Sequence, residues 1–416
     1  MALVSELRLP GFDYTDPTLR GERFHEAMRE LRARGWLASG PYGAIVLDRE
    51  AGEFFLRTRE ATFPGMTIAE LFGVREGPLY EQMRRNILHV NGPDHTRLRS
   101  LVNPALSARA VERYRPAMRG FLDGLLADAC GSAGGDGVVR CEFVEAFAKP
   151  YPSQTIARVM GAPIEDAPRL HHWSNWIQRQ FDAVAMATER DAIEQAVREF
   201  YEYAAELIAT RRRDPGEDLV SRLIEAEEEG ERLDEEECIN LVFNVLVGGV
   251  DTTQSQLAHA VRLLAEHPAQ WELLRSRPEL AESAVEEALR YEPITPFTAR
   301  IVTAEVTFRD VTFPAGTIVM VCAYTGNRDL DSGEPDSESE SEDRFDIAAD
   351  RPRGRALTFG AGVHYCLGAN LARLELREAL AFMAEHMREL RIDGEVEYET
   401  IMGIYGLARL PIAFSV

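Results

Sequence analysis

Residues 359–372 read FGAGVHYCLGANLA, and the reading of the whole chain turns on this stretch. Cys366 stands where a glycine-containing loop hands over to a helix expected from Cys366 to about His386. A thiolate that serves as a metal ligand needs a lowered pKa and shelter from oxidants. A helix start supplies the first need, because its unpaired amides, here those of Leu367 and Gly368, favour negative charge. Gly360 and Gly362 permit a tight loop, and Phe359 offers an apolar shield. The same spelling also suits an inert cysteine buried in a turn.

Working outward, three further clusters stand upstream. Gly248-Gly249-Val250-Asp251-Thr252-Thr253 interrupts a long helix expected from the Asp234–Glu237 capping box to about Glu266, stopped by Pro268. Two adjacent glycines cost a helix interior about 1 kcal/mol each relative to alanine. They allow a bulge or the approach of a ligand, and an acid followed by a hydroxyl beside the gap suits a proton relay. A helix-packing glycine pair would be spelled the same way. Glu287 and Arg290 share a helix face in SAVEEALRYEP, with Glu286–Arg290 as a competing exposed pair. His95-Thr96-Arg97-Leu98-Arg99 follows Pro93 and Asp94, which open a helix, and His95 and Arg99 would otherwise form an i,i+4 surface face.

Together these segments resemble the cytochrome P-450 family, in order, from about Phe24 to Ala408. Residues 359–368 match its signature F-x-x-G-x-x-x-C-x-G at every fixed position, and His364 fits the bacterial subset. The resemblance implies haem b as cofactor, with Cys366 ligating its iron and Gly368 leaving room for the macrocycle. Residues 248–252 resemble the oxygen-activation motif. Gly248 would then lie against the haem and the substrate, and Asp251 and Thr252 would handle protons for bound O2. Glu287 and Arg290 would form the family's buried E-x-x-R pair. His95, Arg99, Arg300 and His364 would hold the haem propionates, carboxylates that burial makes costly without partners. The implied fold is mainly α with small β-sheets, a triangular prism with haem between the long kinked helix and the cysteine-loop helix. One domain over residues 1–416 is expected.

The implied activity is insertion of one oxygen atom from O2 into a C–H bond, most simply hydroxylation. Substrate contacts are expected from Leu79, Val245, Gly248, Ile294, Phe297 and Ile401, which suit a small, largely apolar organic molecule. Oxidative coupling, epoxidation, a peroxide-driven peroxygenase and a non-catalytic haem sensor are the alternatives on the same scaffold. A haem-free hydrolase with Cys366 as nucleophile and His364 as base ranks last, since residues two apart at a loop–helix junction would not face each other. Asn327-Arg328-Asp329 matches the family pattern, but an insert at 331–343, with seven acids and no apolar residue, separates it from Phe345-Asp346.

Composition bounds the rest. Apolar residues at 45% and charged residues at 28% suit a globular chain. A net charge of −23 argues against non-specific nucleic-acid binding. No phosphate loop or dinucleotide fingerprint is present, so direct NADPH binding by this chain is not expected, and the resemblance implies a ferredoxin and its reductase as electron donors. Arg109, Arg113, Arg373 and Arg377 are candidates to dock it. Five scattered cysteines fit a reducing cytoplasm, and the N-terminus MALVSELRLP shows no membrane anchor. A monomer is expected.

The remaining periodicity predicts helices over Phe24–Arg34, Arg49–Thr58, Ala108–Ala129, Val144–Met160, Glu165–Gln180, Asp191–Arg213 and Pro278–Tyr291. It predicts a hairpin over Trp36–Ala38 and Ala44–Leu47. Strands are expected at Val302–Thr307 and Thr317–Val321, and an irregular stretch over Phe63–His89.

Overall fold

Pro93, Pro150, Pro168 and Pro268 each fall in the first turn of a helix, where a missing N–H leaves no bond unmade. The computed structural model describes residues 2–131, 137–228, 233–329, 343–351 and 356–416. Residues 331–342 of the acidic insert, and Arg353 and Arg355, lie outside the described residues.

Eight of the described helices bear on function: α1 (Pro78–Arg85), α2 (Gly92–Val102), α3 (Ala167–Gln178), α4 (Arg190–Arg213), α5 (Glu235–Gly249), α6 (Asp251–Glu266), α7 (Ala281–Tyr291) and α8 (Ala369–His386). Five strands join them: β1 (Leu37–Gly40), β2 (Gly43–Val46), β3 (Ala61–Thr62), β4 (Phe297–Val302) and β5 (Ile318–Cys322).

The chain groups into two compact units. The first comprises Met1–Pro64, Ser283–Cys366 and Tyr398–Gly406. Its five-stranded sheet runs β1-β2-β5-β4-β3. The expected hairpin is there, with Leu37 opposite Val46 and Gly40 opposite Gly43. Both faces of the sheet are covered. Ala44, Val46, Val319 and Val321 point into a cluster with Phe55 and Phe313. Their neighbours Ile45, Leu47 and Cys322 point into a second cluster with Tyr14, Phe24, Tyr324 and Tyr405. Strands buried on both faces read as unbroken apolar runs, which is how β2 and β5 read. The strand expected at Val302–Thr307 is split. β4 ends at Val302, and Val306–Phe308 pairs instead with Val311–Phe313 in a separate hairpin.

The second unit comprises Gly65–Glu282, Leu367–Glu397 and Leu407–Val416. It is mainly helical and carries a three-stranded sheet in which Pro411–Ser415 is central, between Arg388–Ile392 and Val138–Glu142. At its heart is α6, where every residue from Thr253 to Ala265 is buried. A helix buried all round is a core helix.

Several expected boundaries moved. Residues 63–89 are not one irregular stretch: they contain Met66–Leu71 and α1, each preceded by a glycine at positive φ, Gly65 and Gly77. The helix over 108–129 is divided by a 3-10 turn at Glu112–Tyr114, and that over 144–160 opens with a π turn at Val144–Ala148. Leu219–Glu228 is a helix that the pattern reading omitted. The last helix begins at Ala369, three residues after Cys366.

Candidate active site

In the first unit the cysteine loop is fastened at both ends. The Cys366 N–H donates to Phe359 O at 2.9 Å, and the Tyr365 N–H to Gly362 O at 3.1 Å. Gly362 is at φ +72°, and a Cβ there would stand 2.3 Å from Leu56 O, so no other residue fits without moving backbone. Because α8 starts at Ala369, the Leu367 and Gly368 amides belong to the turn ahead of the helix and not to its first turn, as had been expected. Cys366, Phe359 and His364 are all half-buried, and the His364 ring lies 6.1 Å from that of Phe63. Of the other thiols, burial pushes Cys141 and Cys238 up to about 12 and raises Cys322.

The loop is tied to α7 by Asn327, a fully buried residue quoted above only for its place in N-R-D. Its amide donates to Leu289 O, Arg290 O and Thr358 Oγ1, and its carbonyl accepts from the Leu357 N–H at 2.6 Å. Thr358 Oγ1 in turn donates to Leu289 O at 2.6 Å. On the same helix, the Arg290 side chain donates twice to Glu287, one turn back, at 2.7 and 2.8 Å. Both side chains are 4% exposed, so the pair is buried, and the competing Glu286 does not take this bidentate place. Glu287 also accepts from the Asp346 N–H at 2.9 Å, and Arg351 lies 3.2 Å from it. A buried pair holds only when its remaining lone pairs and N–H groups are met in this way.

Arg300, on β4, is 2% exposed. Its hydrogen bond is to its neighbour's carbonyl, Ala299 O, and among the described residues it has no carboxylate partner. Burial pulls its pKa down to about 10. A buried guanidinium without a counter-charge is costly and calls for an anion. Ile294 and Ile401 are buried, while Phe297 is half-buried and packs on Tyr14, its ring centroid 5.4 Å away.

In the second unit the expected long helix is two. α5 begins at the Asp234–Glu237 capping box and ends at Gly249; Val250 breaks the run and α6 starts at Asp251. The two glycines have different reasons. A Cβ on Gly249 would stand 2.3 Å from Ile156 Cδ1, whereas one on Gly248 meets nothing within 4 Å. Gly248 is exposed in an otherwise buried segment, and Thr252 below it is half-buried. The carbonyls at the break accept from side chains: Val247 O from Gln178 and Gly248 O from Thr252, both at 2.5 Å. Asp251 is buried and points to α3, where Ser174 Oγ donates to its Oδ2 and Asn175 Nδ2 to its Oδ1 at 3.4 Å. Burial raises its pKa, while the Ser174 hydrogen bond and the charge of His171 pull the other way.

His95, on α2, is buried rather than part of a surface face, and burial followed by the charge of Arg99 lowers its pKa. Leu79 on α1 and Val245 on α5 are buried, and Val245 shares a helix face with Gly248.

Residues 45–401 match the family model described as Cytochrome P450. The chain belongs to the cytochrome P450 family. A luteothin monooxygenase of Streptomyces thioluteus is 33% identical over 411 residues, 98% of this chain and 96% of that protein. A mycinamicin IV hydroxylase/epoxidase of Micromonospora griseorubida is 34% identical over 339 residues, 80% of this chain and 81% of that one. Among solved structures, that of CalO2 superposes with a TM-score of 0.87 at 31% identity, covering 98% of this chain and 99% of its own. This P450 is therefore a monooxygenase that uses O2, a small-molecule substrate and thiolate-ligated haem b. Among the described residues no helix is long and apolar enough to cross a membrane.

Proposed function

We propose that this P450 inserts one oxygen atom from O2 into a C–H bond of a small, largely apolar organic molecule, with hydroxylation as the net reaction and a ferredoxin and its reductase supplying electrons. The observation that carries the reading is the break between α5 and α6. It sets a buried acid, Asp251, beside a half-buried hydroxyl, Thr252, on a face that Gly248 leaves open. Peroxide-driven chemistry does not need such a pair. The named activities of the relatives, a monooxygenase and a hydroxylase/epoxidase, support the same class and make epoxidation the second reading.

The residues present fit haem b. Cys366 is the ligand, and Arg300, buried and without a carboxylate partner, is a natural contact for a propionate. His95, Arg99 and His364 are proposed as its companions, and Phe359 and Gly368 as the residues flanking the macrocycle. Bound haem supplies the redox centre that activates O2. The chain's own work is narrower. Asn327 and the Glu287–Arg290 pair fix the start of the cysteine loop. Asp251 holds a proton away from bulk water, and Thr252 presents a hydroxyl at the open face. Leu79, Val245, Ile294, Phe297 and Ile401 offer apolar surface to the substrate.

For the electron donor, Arg109 is exposed and without a partner among the described residues, and Arg113 donates to the carbonyls of Ala110 and Glu217 and to no carboxylate. Arg377 is engaged by Glu112 and Glu378, so of the four candidates the docking charge is proposed for Arg109, Arg113 and Arg373.

A reduced-plus-CO difference spectrum tests the core of the reading. The wild type should give the long-wavelength band of a thiolate-ligated haem, and Cys366→His a band displaced to the blue. A wild-type spectrum without the long-wavelength band removes Cys366 as ligand.

A further inference from the structure

α3 carries an unusual stripe. Leu170, Trp173 and Ile177 form a buried apolar row at helical spacing, as a packed helix should. Beside it runs a second row, His171, Ser174, Asn175 and Gln178, at the i, i+3, i+4, i+7 positions where apolar residues are usual. Each of the four meets the segment around the helix break. Gln178 donates to Val247 O, Ser174 and Asn175 donate to the Asp251 carboxylate, and His171 Nε2 lies 2.9 Å from Gln254 Oε1, one turn into α6. Ser174 is fully buried and Asp251 4% exposed, so this hydroxyl has no access to water as an alternative partner.

We propose that Ser174 is a positioning residue of the proton relay: with Asn175 it holds the Asp251 carboxyl against α3 and sets how readily that carboxyl yields its proton, while His171 and Gln254 form the solvent-side neighbour. This rests on the relay reading of Asp251 given above. The step is a proton transfer only. A proton leaves the Asp251 carboxyl towards the Thr252 side, and one from solvent replaces it past the half-buried His171; no bond between heavy atoms changes. Among the described residues the hydrogen-bond partners of Asp251, Ser174 and Asn175, are uncharged, and the ionisable side chain that bears on it electrostatically is His171. From the helix Pro150–Met160 the side chain against the break is apolar Ile156. A donor pair of this kind stabilises the ionised carboxyl, so its loss must make the acid weaker.

The test compares Ser174→Thr, which keeps the hydroxyl, with Ser174→Val, which has nearly the same shape without it, alongside Asp251→Asn. Three quantities are read on the haem-loaded protein: the infrared C=O stretch of the protonated Asp251 carboxyl, assigned by its loss in D251N; the solvent isotope effect on turnover; and product formed per NADPH consumed. In S174V the stretch should persist to a pH higher by about one unit or more, the worth of a hydrogen bond to a charged group. Its solvent isotope effect should rise and its coupling fall, with S174T close to wild type. Melting temperatures of the two variants separate this from a folding defect, since a packing role alone would lower stability without moving the stretch. If D251N changes the isotope effect and coupling but S174V matches S174T in all three readouts, Ser174 has no such role. If D251N itself leaves isotope effect and coupling at wild-type values, the relay reading falls and this inference with it.

Discussion

Among the described residues Arg300 and Glu375 are both buried ionisable groups without a counter-charge, and they call for opposite expectations. Arg300 keeps its charge, so it awaits an anion. Replacing it with methionine should raise the melting temperature of the haem-free protein, because a buried unpaired cation is removed. In the loaded protein, Arg300→Met should speed haem transfer to an acceptor globin by about 10- to 100-fold, the worth of a charged hydrogen bond. Faster loss without apoprotein stabilisation would mean that Arg300 has another partner. Glu375, on α8, is 1% exposed, and among the described residues neither carboxyl oxygen has a hydrogen-bond partner. Burial raises its pKa well above 4.5, so the folded chain holds a proton that the unfolded chain releases. Its stabilising protonation is fully present below the unfolded value and is lost as pH rises through the raised one. Glu375→Gln stays neutral throughout. The variant's urea midpoint should therefore match wild type near pH 4.5 and exceed it increasingly above that, and a gap independent of pH would contradict the burial argument.

At the scale of elements, the α5–α6 break shows one motif with two purposes. Gly249 is a packing glycine, and Gly249→Ala should destabilise the fold by about 1–2 kcal/mol, overpacking against Ile156 exceeding the gain in helix propensity. Ile156→Val removes the atom in the way and should recover part of that loss, a coupling that a double-mutant cycle in urea reads directly. Gly248→Ala should not destabilise the haem-free protein, because its Cβ enters open space. Equal penalties at both positions would show that propensity, not packing, governs the break. The same break explains why one periodic run appears as two helices. Apolar spacing continues across Val250, but the carbonyls of Val247 and Gly248 are taken by Gln178 and Thr252 side chains. Periodicity marks faces and carries no record of which carbonyls side chains claim.

For the whole molecule, the charge of −23 sets the background against which a docking site must work. A local cationic spot on an acidic chain gives short-range attraction that salt weakens. Reversing Arg109 and Arg113 together, R109E/R113E, should slow reduction by a ferredoxin about 10-fold at low ionic strength, with the difference shrinking as salt is added. Unchanged rates across ionic strengths would move the docking site elsewhere.

The sequence by itself determined the family, the mainly helical class and the hairpin at β1–β2, and it supplied the residues proposed to carry chemistry. These features are written locally, in a loop with fixed glycines around Cys366, in capping boxes and in proline positions, so neighbouring residues suffice to read them. The buried fate of Glu287 and Arg290 was legible only through resemblance, since their spacing alone also suits an exposed pair. What only the tertiary structure decided is who meets whom across long stretches of chain: Asn327 with Leu289 and Leu357, Glu287 with the Asp346 amide, Gly249 with Ile156, and Asp251 with Ser174. The polar row on α3 was present in the sequence, but its meaning depends on the element packed against it. A side chain's partner is set by the packing of segments far apart in sequence, and that is a property of the folded chain rather than of any one stretch of it.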